Sequence, residues 1–169
     1  VKLRLLFLVT LLFLIKSSLA QLDSAGVLMR DSIAIDTSKV SQVLRYAETF
    51  HGAAYCFGSC GPRSFDCSGF VMHVFGKYGI QLPHGSATLA GICDDVKLKK
   101  VQPGDLLFFA GRKVSKKSIG HVSIVKSVQE GRIEIIHATV QSGVISEFLE
   151  SSEYFSKRFI RAGRIPALK

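Results

Sequence analysis

Cys67, His121 and His137 are the residues whose types and surroundings point most directly to chemistry. Cys67 lies within Phe65-Asp66-Cys67-Ser68-Gly69-Phe70. Asp66 stands where an N-cap belongs, and Phe70, Val71, Val74, Phe75 and Tyr78 form one apolar face, so the spacing predicts a helix opening at Cys67. At that position the unpaired backbone N–H groups and the helix dipole favour a thiolate, the form of cysteine that attacks a carbonyl. The same N–H groups can stabilise the oxyanion that follows. Ser68 and Gly69 are small and leave room for a substrate. The hexapeptide alone fits an ordinary buried cysteine at a helix start equally well.

A nucleophile needs a base. Of the five histidines, His121 and His137 fall at strand positions, in Gly120-His121-Val122-Ser123-Ile124-Val125 and Ile135-Ile136-His137-Ala138. A hairpin closed by the three residues Gln129-Glu130-Gly131 pairs Val128 with Arg132 and therefore Ser123 with His137. His121 is then a diagonal neighbour of His137 on the same face, within side-chain reach. Closure by Glu130-Gly131 alone puts the two rings on opposite faces. In the first register His121 accepts the Cys67 proton and His137 holds the far ring nitrogen, a nucleophile–base–orienter arrangement. A neutral His orienter stabilises an imidazolium less than a carboxylate does. His51, His73 and His84 read as ordinary structural histidines, His73 near the solvent side of its helix and His84 in a loop.

These residues require helices first and a sheet second. Val40, Val43, Leu44, Ala47 and Phe50 recur at helical spacing behind Ser38, an N-cap type, and His51-Gly52 supplies a stop. Cys56–Arg63 reads as a loop, and a short helix is expected through Ala87–Ala90. Strands are expected at Leu106–Ala110, His121–Val128, Arg132–Ala138, Gly143–Ser146 and Phe159–Ile165. Arg112, Lys113, Lys116 and Lys117 make a basic loop. Helices followed by antiparallel strands indicate an α+β domain over residues 38–169.

Ahead of that domain, residues 1–20 show a basic start, an apolar run from Leu5 to Ile15 and a small-x-small ending at Ser18-Leu19-Ala20. This is the layout of an export signal cleaved near Ala20, and the run is too short to span a bilayer. Residues 21–37 read as a flexible lead-in. Without Lys2, Arg4 and Lys16 the formal charge falls from +9 to +6, which favours anionic partners such as wall polymers. Export, with no zinc-finger spacing, phosphate loop or basic–aromatic stripe, argues against nucleic acid. A monomer without a membrane span in the mature chain is expected. The four cysteines, Cys56, Cys60, Cys67 and Cys93, lack paired C-x-x-C spacing, so neither metal nor cofactor is expected. Two disulfides would consume Cys67; one among the other three, or none, is compatible with a nucleophile.

Six segments together resemble the NlpC family of cell-wall peptidases, a bacterial branch of papain-like cysteine peptidases. They are Tyr55-Cys56-Phe57-Gly58, Asp66-Cys67-Ser68-Gly69-Phe70, Gly79-Ile80-Gln81-Leu82-Pro83, Pro103-Gly104-Asp105-Leu106-Leu107-Phe108-Phe109, Gly120-His121-Val122 and Ile136-His137-Ala138. The resemblance implies a papain-like fold with N-terminal helices on a central antiparallel sheet. It also implies hydrolysis of peptidoglycan stem peptides, at the bond between the γ-carboxyl of D-glutamate and a diamino acid, in the periplasm or outside the cell. Cys67, His121 and His137 match the family's triad and Tyr55 a tyrosine assisting the oxyanion. Asp66 and Ser68 match positions that bind the free amine of a trimmed stem. Phe57, Ser59, His84 and Leu89 depart from the usual residues, all beside the expected cleft. The alternatives are an N-acetylmuramoyl-L-alanine amidase on the same fold and an inactive wall-binding scaffold.

Overall fold

The computed structural model describes residues 38–111 and 118–168. The expected signal segment, the lead-in and the basic loop from Arg112 to Lys117 lie outside the described residues. No helix among the described residues is long and apolar enough to cross a membrane.

Helix α1 (Lys39–Glu48) starts at Ser38, whose side chain accepts the Ser41 N–H, and buries Val43 and Ala47. It ends a turn earlier than the Gly52 stop implied. Thr49, Phe50 and His51 donate to carbonyls three residues back, which tightens the chain out of the helix. Helix α2 (Cys67–Gly76) opens at Asp66 as expected, and residues 67–71 are all buried. It is the central helix, enclosed on nearly every side. His73 is half-buried; its ring packs against Tyr46, Phe50 and Phe65, and Nε2 lies 3.2 Å from the Tyr46 hydroxyl. A short helix α3 (Ser86–Ile92) follows.

Between α1 and α2 the strands β1 (Ala54–Tyr55) and β2 (Ser64–Phe65) pair in parallel, a small sheet that the sequence pattern did not reveal. They draw the intervening loop over the start of α2. Ser59 accepts the Asp66 N–H at 2.8 Å, and the crossing is tight: a Cβ at Gly69 would lie 2.1 Å from the Ser59 carbonyl oxygen. Backbone meets backbone there, so Gly69→Ala is expected to cost about 1–3 kcal/mol, read as a lowered denaturation midpoint. An unchanged midpoint would show that this loop yields freely.

The main sheet has the order β3-β8-β4-β5-β6-β7, every pair antiparallel. Its strands are β3 (Asp94–Val96), β4 (Leu106–Ala110), β5 (Ile119–Gln129), β6 (Arg132–Thr139), β7 (Gly143–Phe148) and β8 (Phe159–Arg164). Alternation divides the side chains into two layers. Leu106, Phe108, Val122, Ile124, Ile136 and Ala138 pack with α1–α3. Leu107, Phe109, Val125, Ile133 and Ile135 form a second core with Phe155 and Phe159. Phe155 belongs to α4 (Glu153–Arg158), a short helix that the reading of the sequence missed.

The hairpin that aligns the histidines closes differently from the three-residue expectation. Gln129 pairs with Arg132, leaving a two-residue turn in which Glu130 (φ 50°) and Gly131 (φ 79°) are both left-handed. That closure alone would separate the rings. The register then shifts between Val125 and Ser127, so Lys126 is an extra residue on β5, a β-bulge. Beyond it Val125 pairs with Ile135 and Ile124 with Ile136, the register that, continued by one residue, sets Ser123 opposite His137. The displaced Lys126 side chain binds Glu134 at 3.0 Å and Glu48 of α1 at 2.9 Å.

Candidate active site

Asp66 organises the start of α2. Its carboxylate accepts the Gly69 N–H at 2.7 Å, the Gly58 N–H at 2.9 Å and the Ser68 hydroxyl at 3.1 Å, and both oxygens lie 2.9 Å from His84 Nε2. Burial by itself would raise this carboxyl, but the Gly69 N–H, His84 and the Gly58 N–H outweigh it and hold Asp66 below its ordinary value. Asp66 and Ser68 are both buried, at 5% and 4% exposure, so they lie beneath the surface rather than on the cleft wall. His84, read from the sequence as a plain loop residue, is the exposed partner of this cap. The signal for it was its place after Leu82-Pro83, one of the departures from the family's usual residues beside the expected cleft.

Cys67 sits immediately after the cap, also buried. The thiol lies above its ordinary value because burial outweighs everything else. Asp66 adds to that rise, while hydrogen bonding from the Val122, Ser68 and Cys67 backbones opposes it. The N–H groups of the helix start favour the thiolate as expected, but burial outweighs them and the resting group is a thiol. The Val122 contact brings the sulfur to β5, one residue along from His121. Tyr55, at the end of β1, is electrostatically coupled to Cys67 and Asp66. Burial first, then those neighbours, raises its phenol and keeps it an O–H donor.

The two sheet histidines meet directly, His121 Nε2 lying 2.9 Å from His137 Nδ1. His137 has no exposed surface, and its Nε2 lies 2.9 Å from Glu147 Oε1 on β7. Phe155 covers both rings, stacking on His121 at 5.1 Å and meeting His137 edge-on at 4.7 Å. That enclosure, followed by the neighbouring His137, lowers His121 to about 3. The His121 ring is therefore neutral across the physiological range. Glu147 and Phe155 escaped the reading of the sequence; an acidic residue just past the end expected for β7 was the available signal.

Tyr55, His121 and Phe155 line a cleft of about 580 Å³, with the exposed apolar side chains of Phe57, Val140 and Tyr154 at its rim. Ala110, Gly111 and Gly120 make its small-residue floor, and a Cβ at Gly120 would lie 2.6 Å from Gly111 Cα. The cleft thus has apolar flanks beside a neutral imidazole ring. All four cysteines are free, and the described residues contain no group of three or more His, Cys, Asp or Glu arranged to hold a metal ion.

A sequence profile of the NlpC/P60 family matches residues 52–164. A probable endopeptidase of Mycobacterium bovis is 48% identical over 67 residues, covering 40% of this chain and 17% of that protein. The probable endopeptidase NlpC of Escherichia coli is 29% identical over 161 residues, covering 95% of this chain and 97% of the relative. The gamma-DL-glutamyl hydrolase of Bacillus subtilis is 30% identical over 142 residues, covering 83% of this chain and 33% of the relative. This chain therefore spans only a minor part of the mycobacterial and Bacillus proteins. Among solved structures, a lipoprotein-like NLP/P60 family protein from Staphylococcus aureus superposes with a TM-score of 0.66 at 30% identity. The superposition covers 77% of this chain and 42% of that one.

Proposed function

The chain belongs to the NlpC/P60 family, and on that premise we propose that it is an exported cysteine endopeptidase hydrolysing peptidoglycan stem peptides at the γ-D-glutamyl–diamino acid bond. The observation that carries this reading is a cysteine at a carboxylate-capped helix start, hydrogen-bonded to the strand that holds a neutral, histidine-backed imidazole. Similarity to the gamma-DL-glutamyl hydrolase of Bacillus subtilis supports a γ-glutamyl bond as the target.

In this mechanism His121 takes the Cys67 proton as sulfur bonds to the γ-carbonyl carbon. The oxyanion is held by the Cys67 and Ser68 N–H groups and by the Tyr55 hydroxyl. Collapse breaks the C–N bond, and His121 returns the proton to the departing amine. Water, deprotonated by His121, then splits the thioester and restores the thiol. Asp66 and Ser68 serve the amine end of the stem, where a substrate ammonium takes the place of exposed His84 on the carboxylate. The scheme draws on side chains and backbone alone. The enzyme acts as a monomer in the periplasm or at the wall.

Two expected results follow from this chemistry. Tyr55→Phe removes one oxyanion donor and is expected to lower kcat about 100-fold with KM little changed; a wild-type kcat would exclude the phenol from the reaction. A base must be unprotonated to work, so lowering His121 to about 3 moves the acid limb of kcat/KM acidward. The limb is expected well below the about 6.5 of free imidazole. A pH–rate profile with a limb centred near about 6.5 would show His121 titrating as a solvated ring.

The bond itself is tested by digesting purified muropeptides and weighing the products. Fragments divided between D-glutamate and the diamino acid support the endopeptidase. Release of intact stems from the sugar would establish an amidase instead.

A further inference from the structure

Behind the paired histidines stands a carboxylate that the hydrolytic scheme does not use. In the β6–β7 register His137 faces Ile145 and Ile135 faces Glu147, so Glu147 is the diagonal neighbour of His137 on one sheet face. The Glu147 carboxyl is held below its ordinary range, first by the His137 hydrogen bond, against some burial, and further by Ser152. Its side chain keeps 26% exposure, and Glu147 lines, with Tyr154 and Phe155, a pocket of about 240 Å³ that adjoins the cleft. Glu147 is thus ionised and can only accept.

That single fact propagates through the site. The 2.9 Å contact to Glu147 requires the proton of neutral His137 to sit on Nε2, which leaves Nδ1 bare. The 2.9 Å contact between Nδ1 of His137 and Nε2 of His121 then requires a proton on His121 Nε2. His121 is left with a bare Nδ1, and that nitrogen is the base. We propose that Glu147 is a positioning residue that acts through His137 to fix His121 as an Nδ1 base and to stabilise the imidazolium formed when Cys67 is deprotonated. This rests on the reading of His121 as the base for Cys67. It also answers the weakness of a neutral histidine orienter, because the negative charge sits one ring further back.

The test is the alkylation rate of Cys67 by iodoacetamide, read peptide by peptide, in the wild-type chain, Glu147→Gln and Glu147→Asp. Glutamine keeps the shape and removes the charge. Cys67 is expected to react about 10- to 100-fold more slowly in Glu147→Gln, the usual cost of losing an orienting partner, and Glu147→Asp should recover most of the loss. Exposed Cys56 should react alike in all three and report an intact fold. On muropeptides the same loss should appear in kcat and not in KM. Wild-type alkylation of Cys67 in Glu147→Gln overturns the proposal even if the wild-type chain digests muropeptides. Slowed alkylation without any muropeptide cleavage by wild type supports the relay and removes the peptidase reading. Should Glu147→Gln not fold, ¹⁵N-histidine spectra of the wild-type chain decide. Protons on Nε2 of both His121 and His137 support the relay, and a proton on Nδ1 of either neutral ring overturns it.

Discussion

His121→Ala is expected to lower kcat on muropeptides by about 10,000-fold or more, with KM changed only a few-fold. The size follows from the resting state of Cys67. Burial keeps its thiol protonated, and the backbone N–H groups around it do not compensate, so the proton has to be removed during the reaction. In the proposed mechanism the base is His121, on the strand whose Val122 backbone meets the sulfur, and enclosure beneath Phe155 keeps it neutral. The ring contributes only as the thiol ionises and the amine leaves, which confines the loss to kcat. Steady-state kinetics over a range of substrate concentrations measure this. A loss of only about tenfold would place the base elsewhere.

Arg164→Leu is expected to destabilise the fold by about 3 kcal/mol, the low end for removing one partner of a buried ion pair because Arg164 itself is partly exposed. Asp105 is 2% exposed. It takes two hydrogen bonds from Arg164, at 2.7 and 2.8 Å, and one from the Gln102 N–H at 2.8 Å. Without the guanidinium a charge is left buried at the turn into β4, whose residues are all buried. Gly104 in the same turn takes φ 90° and lies close enough to α1 that a Cβ there would be 2.9 Å from Val40 Cγ1, so the fault would reach the helical layer. A melting temperature lower by about 10 °C is the expected reading. Asp105→Leu with Arg164→Leu should recover part of it, since the uncompensated charge is then gone. An Arg164→Leu protein as stable as wild type would show Asp105 to be adequately solvated.

The start of the Cys67 helix and the paired histidines differ in how openly the sequence displays them. Asp66, Cys67 and the apolar face from Phe70 to Phe75 lie within one helix, where a cap and a spacing of three and four suffice to read them. The pairing of His121 with His137 was reachable only as one of two registers. The protein adopts the two-residue turn of one and, through the bulge at Lys126, the alignment of the other. A bulge depends on what the extra side chain finds, here Glu134 and Glu48, and Glu48 is remote in sequence. Glu147 and His84 were obscure for the same reason. Each gains its role from a residue on another element, His137 and Asp66 respectively. Helix α4 has too few residues to show a period, yet Phe155 on it closes the site over both rings.

The most direct test of Cys67 as nucleophile is hydrolysis of one purified disaccharide-peptide by the wild-type chain and by Cys67→Ala, followed by mass spectrometry. Cleavage between D-glutamate and the diamino acid by the wild type alone is the expected result. Equal cleavage by Cys67→Ala, with both proteins folded, would contradict catalysis by this cysteine.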